Sequence, residues 1–125
     1  MDLLITIFRV NFIVDTAEVF EGAFAISECQ GAGIENPTII AAQTANELLG
    51  IKGIKASVVL TEYQGVIYLS ARSIDEVNVQ VMMEKLGGGG HRAIAGAQLR
   101  GVTMEEAKQR LKAVITEMIE KGEDS

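Results

Sequence analysis

Residues 87–91 read Gly-Gly-Gly-Gly-His, and no other stretch of this 125-residue chain restricts what its backbone can do so sharply. Four of the thirteen glycines and the single histidine sit here, followed by Arg92 and the small-residue segment Ala93 to Ala97. Consecutive residues without a Cβ lose the most conformational entropy on folding and bury no side chain, so stability alone gives little reason to gather them. What they supply is backbone that can turn with positive φ and approach a ligand closely. A helical turn beginning at His91 would aim its unpaired N–H groups and the glycine amides into one concavity, a suitable place for a phosphate. The imidazole adds a donor at its edge. The plainer reading is a loop after a helix that Gly87 caps. A linker is disfavoured by the flanks, because Met82, Met83 and Leu86 on one side and Ile94 and Leu99 on the other belong in a core.

The chain's 48% of hydrophobic residues suffice for one domain with a proper core. No run of about 18 apolar residues is present, so nothing is expected to span a membrane. Leu3 to Val14 is apolar, but Asp2 precedes it, Arg9 and Asn11 interrupt it and no small-residue cleavage site follows, which argues against a signal peptide. The formal charge is −6 with lysines and arginines scattered, so the basic stripe that grips long nucleic acid is missing. Small phosphate ligands stay compatible, since a glycine nest and one or two arginines act locally. The lone cysteine, Cys29, cannot form an internal disulfide, fits a reducing compartment and is expected to pack in the core.

Taken in order, Leu3 to Val14 satisfies both a strand and a helix period, and the two stay open. Val19 to Glu28 reads as one strand, with Phe20, Gly22, Phe24 and Ile26 on one face. Asn36 followed by Pro37 marks a helix start; the helix runs to about Leu49, burying Ala41, Ala45, Leu48 and Leu49, and stops at Gly50. Residues 55–73 form a hairpin, Ala56 to Glu62 and Val66 to Ser73, turning through Tyr63, Gln64 and Gly65. Its second strand puts Ile67, Leu69 and Ala71 on one face and Tyr68, Ser70 and Arg72 on the other. Ser70, Arg72 and Ser73 stand together at a strand terminus, where binding residues are often held. A second helix is expected from Asp75 or Glu76 to Leu86, with Ser73 and Glu76 at capping-box spacing, Ile74, Val77, Val81 and Met82 buried, and Asn78 in its first turn. At about 15 Å it leaves open whether Arg72 before it and the glycines after it meet. Gly96 to Arg100 is a short strand. Thr103 and Glu106 then box the start of a last helix that buries Met104, Ala107, Leu111, Val114, Ile115 and Met118.

Catalytic apparatus is not visible. One histidine, one cysteine and four spread aspartates make no zinc or di-metal pattern. No G-x-S-x-G elbow occurs, and Gly90, His91 and Arg92 stand where a P-loop would end in glycine, lysine and serine or threonine. These residues describe a binder.

The segments Ser-Ala-Arg-Ser at 70–73, Ile-Asp-Glu-Val-Asn-Val-Gln at 74–80 and Gly-Gly-Gly-Gly-His-Arg-Ala-Ile-Ala-Gly-Ala-Gln-Leu at 87–99 resemble the C-terminal, DHH-associated domain of the DHH phosphoesterases. Within that family they look most like the membrane-anchored bacterial phosphodiesterases that cleave cyclic di-AMP. The resemblance implies that a preceding DHH domain carries two manganese ions and activates water, while this domain holds substrate across the cleft. Carried over by position, Gly87, Gly88, Gly89 and Gly90 would approach the nucleotide, His91 would hydrogen-bond phosphate or base, and Arg72, helped by Ser70 or Ser73, would neutralise a phosphate. Asn78 is a further candidate. One departure touches specificity: Arg92 to Gly96 reads Arg-Ala-Ile-Ala-Gly where that branch often has a more polar segment.

The expectation is therefore an α/β domain, a mixed sheet of about five strands with helices packed on it. Residues 1–16 would be a connector from an upstream catalytic domain, 17–121 the substrate-binding domain and 122–125 a frayed tail. No catalytic or metal-binding residue and no cofactor is expected in this chain. Its partners would be a cyclic or linear dinucleotide and the DHH domain of the same protein, with homodimerisation left open and no membrane contact of its own. It would form the cytoplasmic part of an anchored bacterial protein. A nanoRNase or RecJ-type exonuclease domain is the alternative within the family, and a non-enzymatic nucleotide-binding regulator the alternative outside it.

Overall fold

A computed structural model describes residues 17–30, 37–74 and 76–124. The 1–16 connector and the Asn36 cap lie outside them. Six strands form one mixed sheet: β1 (Glu18–Phe20), β2 (Phe24–Gln30), β3 (Ala56–Tyr63), β4 (Val66–Ser73), β5 (Gly89–Gly90) and β6 (Ile94–Arg100), in the order β1-β2-β3-β4-β6-β5. Three helices are described: α1 (Pro37–Leu48), α2 (Val79–Glu84) and α3 (Met104–Lys121). Only β2 and β3 pair in parallel, and α1 is the crossover that a parallel pair needs. The expected mixed α/β architecture is present, with one strand more.

The extra strand comes from the amino-terminal end. Val19 to Glu28 is a hairpin rather than one strand, because Glu21 and Gly22 take φ of 52° and 73° and reverse the chain. Two successive left-handed residues are what a tight hairpin turn requires. The same chemistry closes the β3–β4 hairpin at Gln64 and Gly65, with φ of 51° and 80°.

Alternation along the strands builds a core on each face. Phe24, Ile26, Val58, Leu60, Ile67, Leu69, Ala71, Ala95, Ala97 and Leu99 point to one side, where Met82 and Met83 of α2 and Ala107, Leu111, Ile115 and Met118 of α3 cover them. On the other side Ala25, Cys29 and Val59 meet Ile40, Ala41, Ala45 and Leu48 of α1. Cys29 is buried there. Ser57 Oγ donates to the Ala45 carbonyl at 2.6 Å, so α1 is also tied to β3 by a buried hydrogen bond. Helix α1 packs over β3 and β4, with less contact to β2, and leaves the outer part of this face, over β6 and β5, open.

Helix α3 begins with the expected box: Glu106 N–H donates to Thr103 Oγ1 at 3.1 Å and Thr103 N–H to Glu106 Oε1 at 3.1 Å. Donation from the Thr103 N–H, and from its side chain, holds the Glu106 carboxyl below its ordinary pKa, since it favours the charged form. Of the carboxy-terminal residues 122–125, the first three are described, and each has a partner or a capping role. Gly122 caps α3 in a left-handed conformation, Glu123 pairs with Lys85 at 3.3 Å, and the Asp124 carbonyl accepts from Asn78 N–H at 2.8 Å.

Candidate functional site

Helix α2 is shorter than its sequence suggests. It starts at Val79, because Asn78 is the N-cap and its Oδ1 accepts from Val81 N–H at 3.2 Å. Ser73 does not cap it. Ser73 ends β4, and Ile74 is exposed rather than buried. With six residues the helix is about 9 Å long.

The glycine run ends that helix and turns into a strand. Gly87, at φ 86°, donates to the Glu84 carbonyl at 3.0 Å, and Gly88 N–H donates to the Met83 carbonyl at 2.8 Å. This pair of bonds is a Schellman cap. Gly89 and Gly90 then pair with Gly96 and Ala95 of β6. No helical turn begins at His91; its N–H donates to the Ile94 carbonyl at 2.7 Å and its carbonyl accepts from Ile94 N–H at 3.3 Å. The expected concavity of successive amides is therefore replaced by a cap and an edge strand, since the amides of Gly87, Gly88 and His91 bond within the chain.

Two of the four glycines are required by that packing. A Cβ on Gly88 would lie 2.1 Å from the Gly96 carbonyl oxygen, and one on Gly90 would lie 2.5 Å from the Ile94 carbonyl oxygen. Gly87 is required by its φ. Gly89 alone has neither constraint, with nothing within 4 Å of where its Cβ would be. It faces open space.

Register settles which residues share a place. Arg72 lies opposite Ile94, which exchanges both backbone hydrogen bonds with His91. One row thus runs Arg72–Ile94–His91 across β4, β6 and the edge, with the outer backbones about 10 Å apart. The next row on the same face runs Ser70–Gly96–Gly89, and the next holds Tyr68 and Gln98. Arg72 and the glycine segment meet on the open face. Ser73 does not join them: it has the parity of Ile67, Leu69 and Ala71 and is buried on the helix-covered side. Asn78, engaged as a cap, is likewise held in place by its own helix.

Arg72 is half-buried, donates from Nη1 to the Ala71 carbonyl at 2.8 Å and makes no ion pair among the described residues. Burial pulls its guanidinium below the ordinary arginine value, yet arginine stays charged. Ile94, between it and His91, is 52% exposed, an apolar side chain in a cationic row. Beside these rows opens a cleft of about 560 Å³, lined by Tyr68, Ser70, Gly88, Gly96, Gln98 and Arg100 among others. Sequence reasoning missed Ile94, Gln98 and Arg100. Alternation along β6 was the available signal, but only pairing with β4 shows that they continue the Ser70–Arg72 face. No three of His, Cys, Asp and Glu converge among the described residues, so this donor set does not fit a manganese pair. No described helix is long and apolar enough to cross a membrane.

A mixed sheet whose edge is a glycine strand, with a guanidinium and an imidazole in one row of its open face, defines a small α/β domain with a candidate anion site. The chain belongs to the DHHA1 domain family, whose model matches residues 21–121. It is 41% identical over 111 residues to the cyclic-di-AMP phosphodiesterase GdpP of Geobacillus thermodenitrificans, covering 88% of this chain and 17% of that protein. It is 42% identical over 107 residues to the cyclic-di-AMP phosphodiesterase PdeA of Listeria monocytogenes, covering 82% and 16%. The chain thus spans about a sixth of these relatives. Among solved structures, an exopolyphosphatase-related protein from Bacteroides fragilis superposes with a TM-score of 0.77 at 21% identity, over 90% of this chain and 34% of that one. The pGpG-specific phosphodiesterase PggH from Vibrio cholerae gives 0.58 at 20%, over 90% and 38%. At such identities these likenesses show the fold.

Proposed function

We propose that this chain is the substrate-binding part of a phosphodiesterase that hydrolyses cyclic di-AMP or the linear di-adenylate derived from it. The single observation that carries the reading is the row joining Arg72 to His91 beside the bare Ser70–Gly96–Gly89 row. A phosphodiester laid over these rows would meet a guanidinium with no ion pair among the described residues, an imidazole donor and the Ser70 hydroxyl, while Gly89 lets its backbone come close. Charge-assisted hydrogen bonds of this kind position a phosphate and stabilise charge that develops on it. The names of the relatives support a cyclic dinucleotide as substrate. Two manganese ions and the attacking water are assigned to an upstream DHH domain of the same protein, the partner across the cleft, as the resemblance to the DHH phosphoesterases implies. In its natural setting the domain would work on the cytoplasmic side of an anchored protein.

The test is an NMR titration of the labelled chain with linear di-adenylate and cyclic di-AMP, repeated on His91→Ala. Shifts at Ser70, Arg72, Gly89 and His91, weakened by the substitution, are expected. Manganese-supplemented chain is expected to show no turnover. Hydrolysis by a clean preparation, or shifts confined to residues away from this face, would overturn the reading.

A further inference from the structure

We infer that the cleft beside Ser70 is a nucleobase subsite, in which Tyr68 supplies the stacking surface and Gln98 the hydrogen-bonding edge. The inference rests on the proposed phosphate row and says where the rest of the ligand goes. Three observations carry it. The cleft, at about 560 Å³, has the size of a small-ligand pocket and adjoins the phosphate row through Ser70. Its floor is bare, because Gly88 and Gly96 line it and fold geometry forbids a side chain at either: a Cβ would fall 2.1 Å from the Gly96 carbonyl oxygen or 2.9 Å from the Leu69 carbonyl oxygen. A flat ring can therefore lie against the sheet.

The third observation is the chemistry of the wall. Tyr68 and Gln98 are directly opposite across β4 and β6, and Arg100 Nη2 donates to Gln98 Oε1 at 3.4 Å. An aromatic face, an amide that both donates and accepts, and a guanidinium suit an uncharged heteroaromatic ring attached to a phosphate. No carboxylate is among the lining residues, so nothing there repels the anionic part of such a ligand. Along β4, Tyr68 and Ser70 are two residues apart, about 7 Å, which separates the base subsite from a phosphate at the Ser70 row by roughly one nucleotide. The guanidinium of Arg100 then lies beyond the base, placed for a second phosphate.

The test compares Tyr68→Ala, Tyr68→Phe and Gln98→Ala with the parent chain, titrated with linear di-adenylate and separately with inorganic phosphate at millimolar concentration and read by amide shifts. Tyr68→Ala is expected to weaken di-adenylate binding about tenfold, Tyr68→Phe to stay within about twofold, and neither to change phosphate binding. Gln98→Ala should reduce the preference for di-adenylate over a pyrimidine dinucleotide. Di-adenylate shifts at Arg72 and His91 with none at Tyr68 and Gln98, or equal affinity of Tyr68→Ala and parent, would overturn the subsite and leave the phosphate row standing. No shifts at either place with any ligand would overturn both. Unchanged dispersion in the spectrum of Tyr68→Ala separates lost binding from lost fold.

Discussion

Strand β4 has one face that the fold consumes and one that it leaves alone. Ile67, Leu69 and Ala71 are buried against α2 and α3, while Tyr68, Ser70 and Arg72 are half-buried at the margin of α1. The covered face is apolar and continuous, and each side chain there is accounted for by packing. The other carries polar groups that packing does not need, next to backbone stripped of Cβ atoms. Helix α1 packs over β3 and β4 with part of β2, so the sheet beyond β4, at β6 and β5, is finished on one side alone. A partly finished sheet face is a place where residue identity is free to follow a ligand rather than a core.

The glycine run contains both solutions within four residues, and substitution there gives the largest expected contrast. Gly88→Ala sets a methyl 2.1 Å from a backbone oxygen that cannot move without opening the β6 pairing. Denaturant unfolding is expected to show a loss of about 4 kcal/mol, enough to leave much of the chain unfolded. Gly89→Ala meets nothing and has no positive φ, so stability should hold within about 1 kcal/mol while the added methyl obstructs the bare row and weakens di-adenylate binding. Equal destabilisation by both would dissolve the distinction between the two halves of the run.

Much of this was legible because local chemistry set it. The β3–β4 hairpin, the capping box at Thr103, the buried stripe of α3 and the cap at Gly87 follow from residues within a few positions of one another. Missed features share another character. The Glu21–Gly22 reversal has a glutamate where a positive φ is uncommon, so Val19 to Glu28 looked continuous. Asn78 is the N-cap of α2, a role hidden by a capping-box spacing at Ser73 and Glu76 that starts the helix three residues too early. The Arg72–Ile94–His91 row depends on register between β4 and β6, which no stretch of sequence contains. Ser73 is a different case: adjacent residues on a strand point to opposite faces, so its separation from Arg72 follows from the period of two alone.

The two faces also predict different readouts for neighbouring substitutions. Leu69→Ala removes a buried side chain from the covered face and should cost about 3 kcal/mol of stability. Arg72→Ala should change stability by less than about 1 kcal/mol, since its hydrogen bond among the described residues is to the adjacent carbonyl, yet lower di-adenylate affinity about tenfold to a hundredfold. Chemical denaturation and calorimetric titration of the pair check this. An arginine variant that unfolds as readily as the leucine variant would mean that the open face is structural after all.

The smallest effects fall on two serines three residues apart, and they divide the faces most finely. Ser73 Oγ is buried and has no hydrogen-bond partner among the described residues. A buried hydroxyl that has given up water without replacement is a cost, so Ser73→Ala should be neutral or stabilise by about 0.5–1 kcal/mol, and ligand binding should not respond. Ser70 stands in the bare row opposite Gly96, so Ser70→Ala should leave the midpoint of unfolding unchanged and weaken di-adenylate binding by a few-fold, the worth of one neutral hydrogen bond. The two curves must move in complementary ways: the midpoint for one serine, the affinity for the other. If Ser73→Ala weakened binding and Ser70→Ala did not, the ligand would have to reach the helix-covered side, and the placement of the site on the open face would fail.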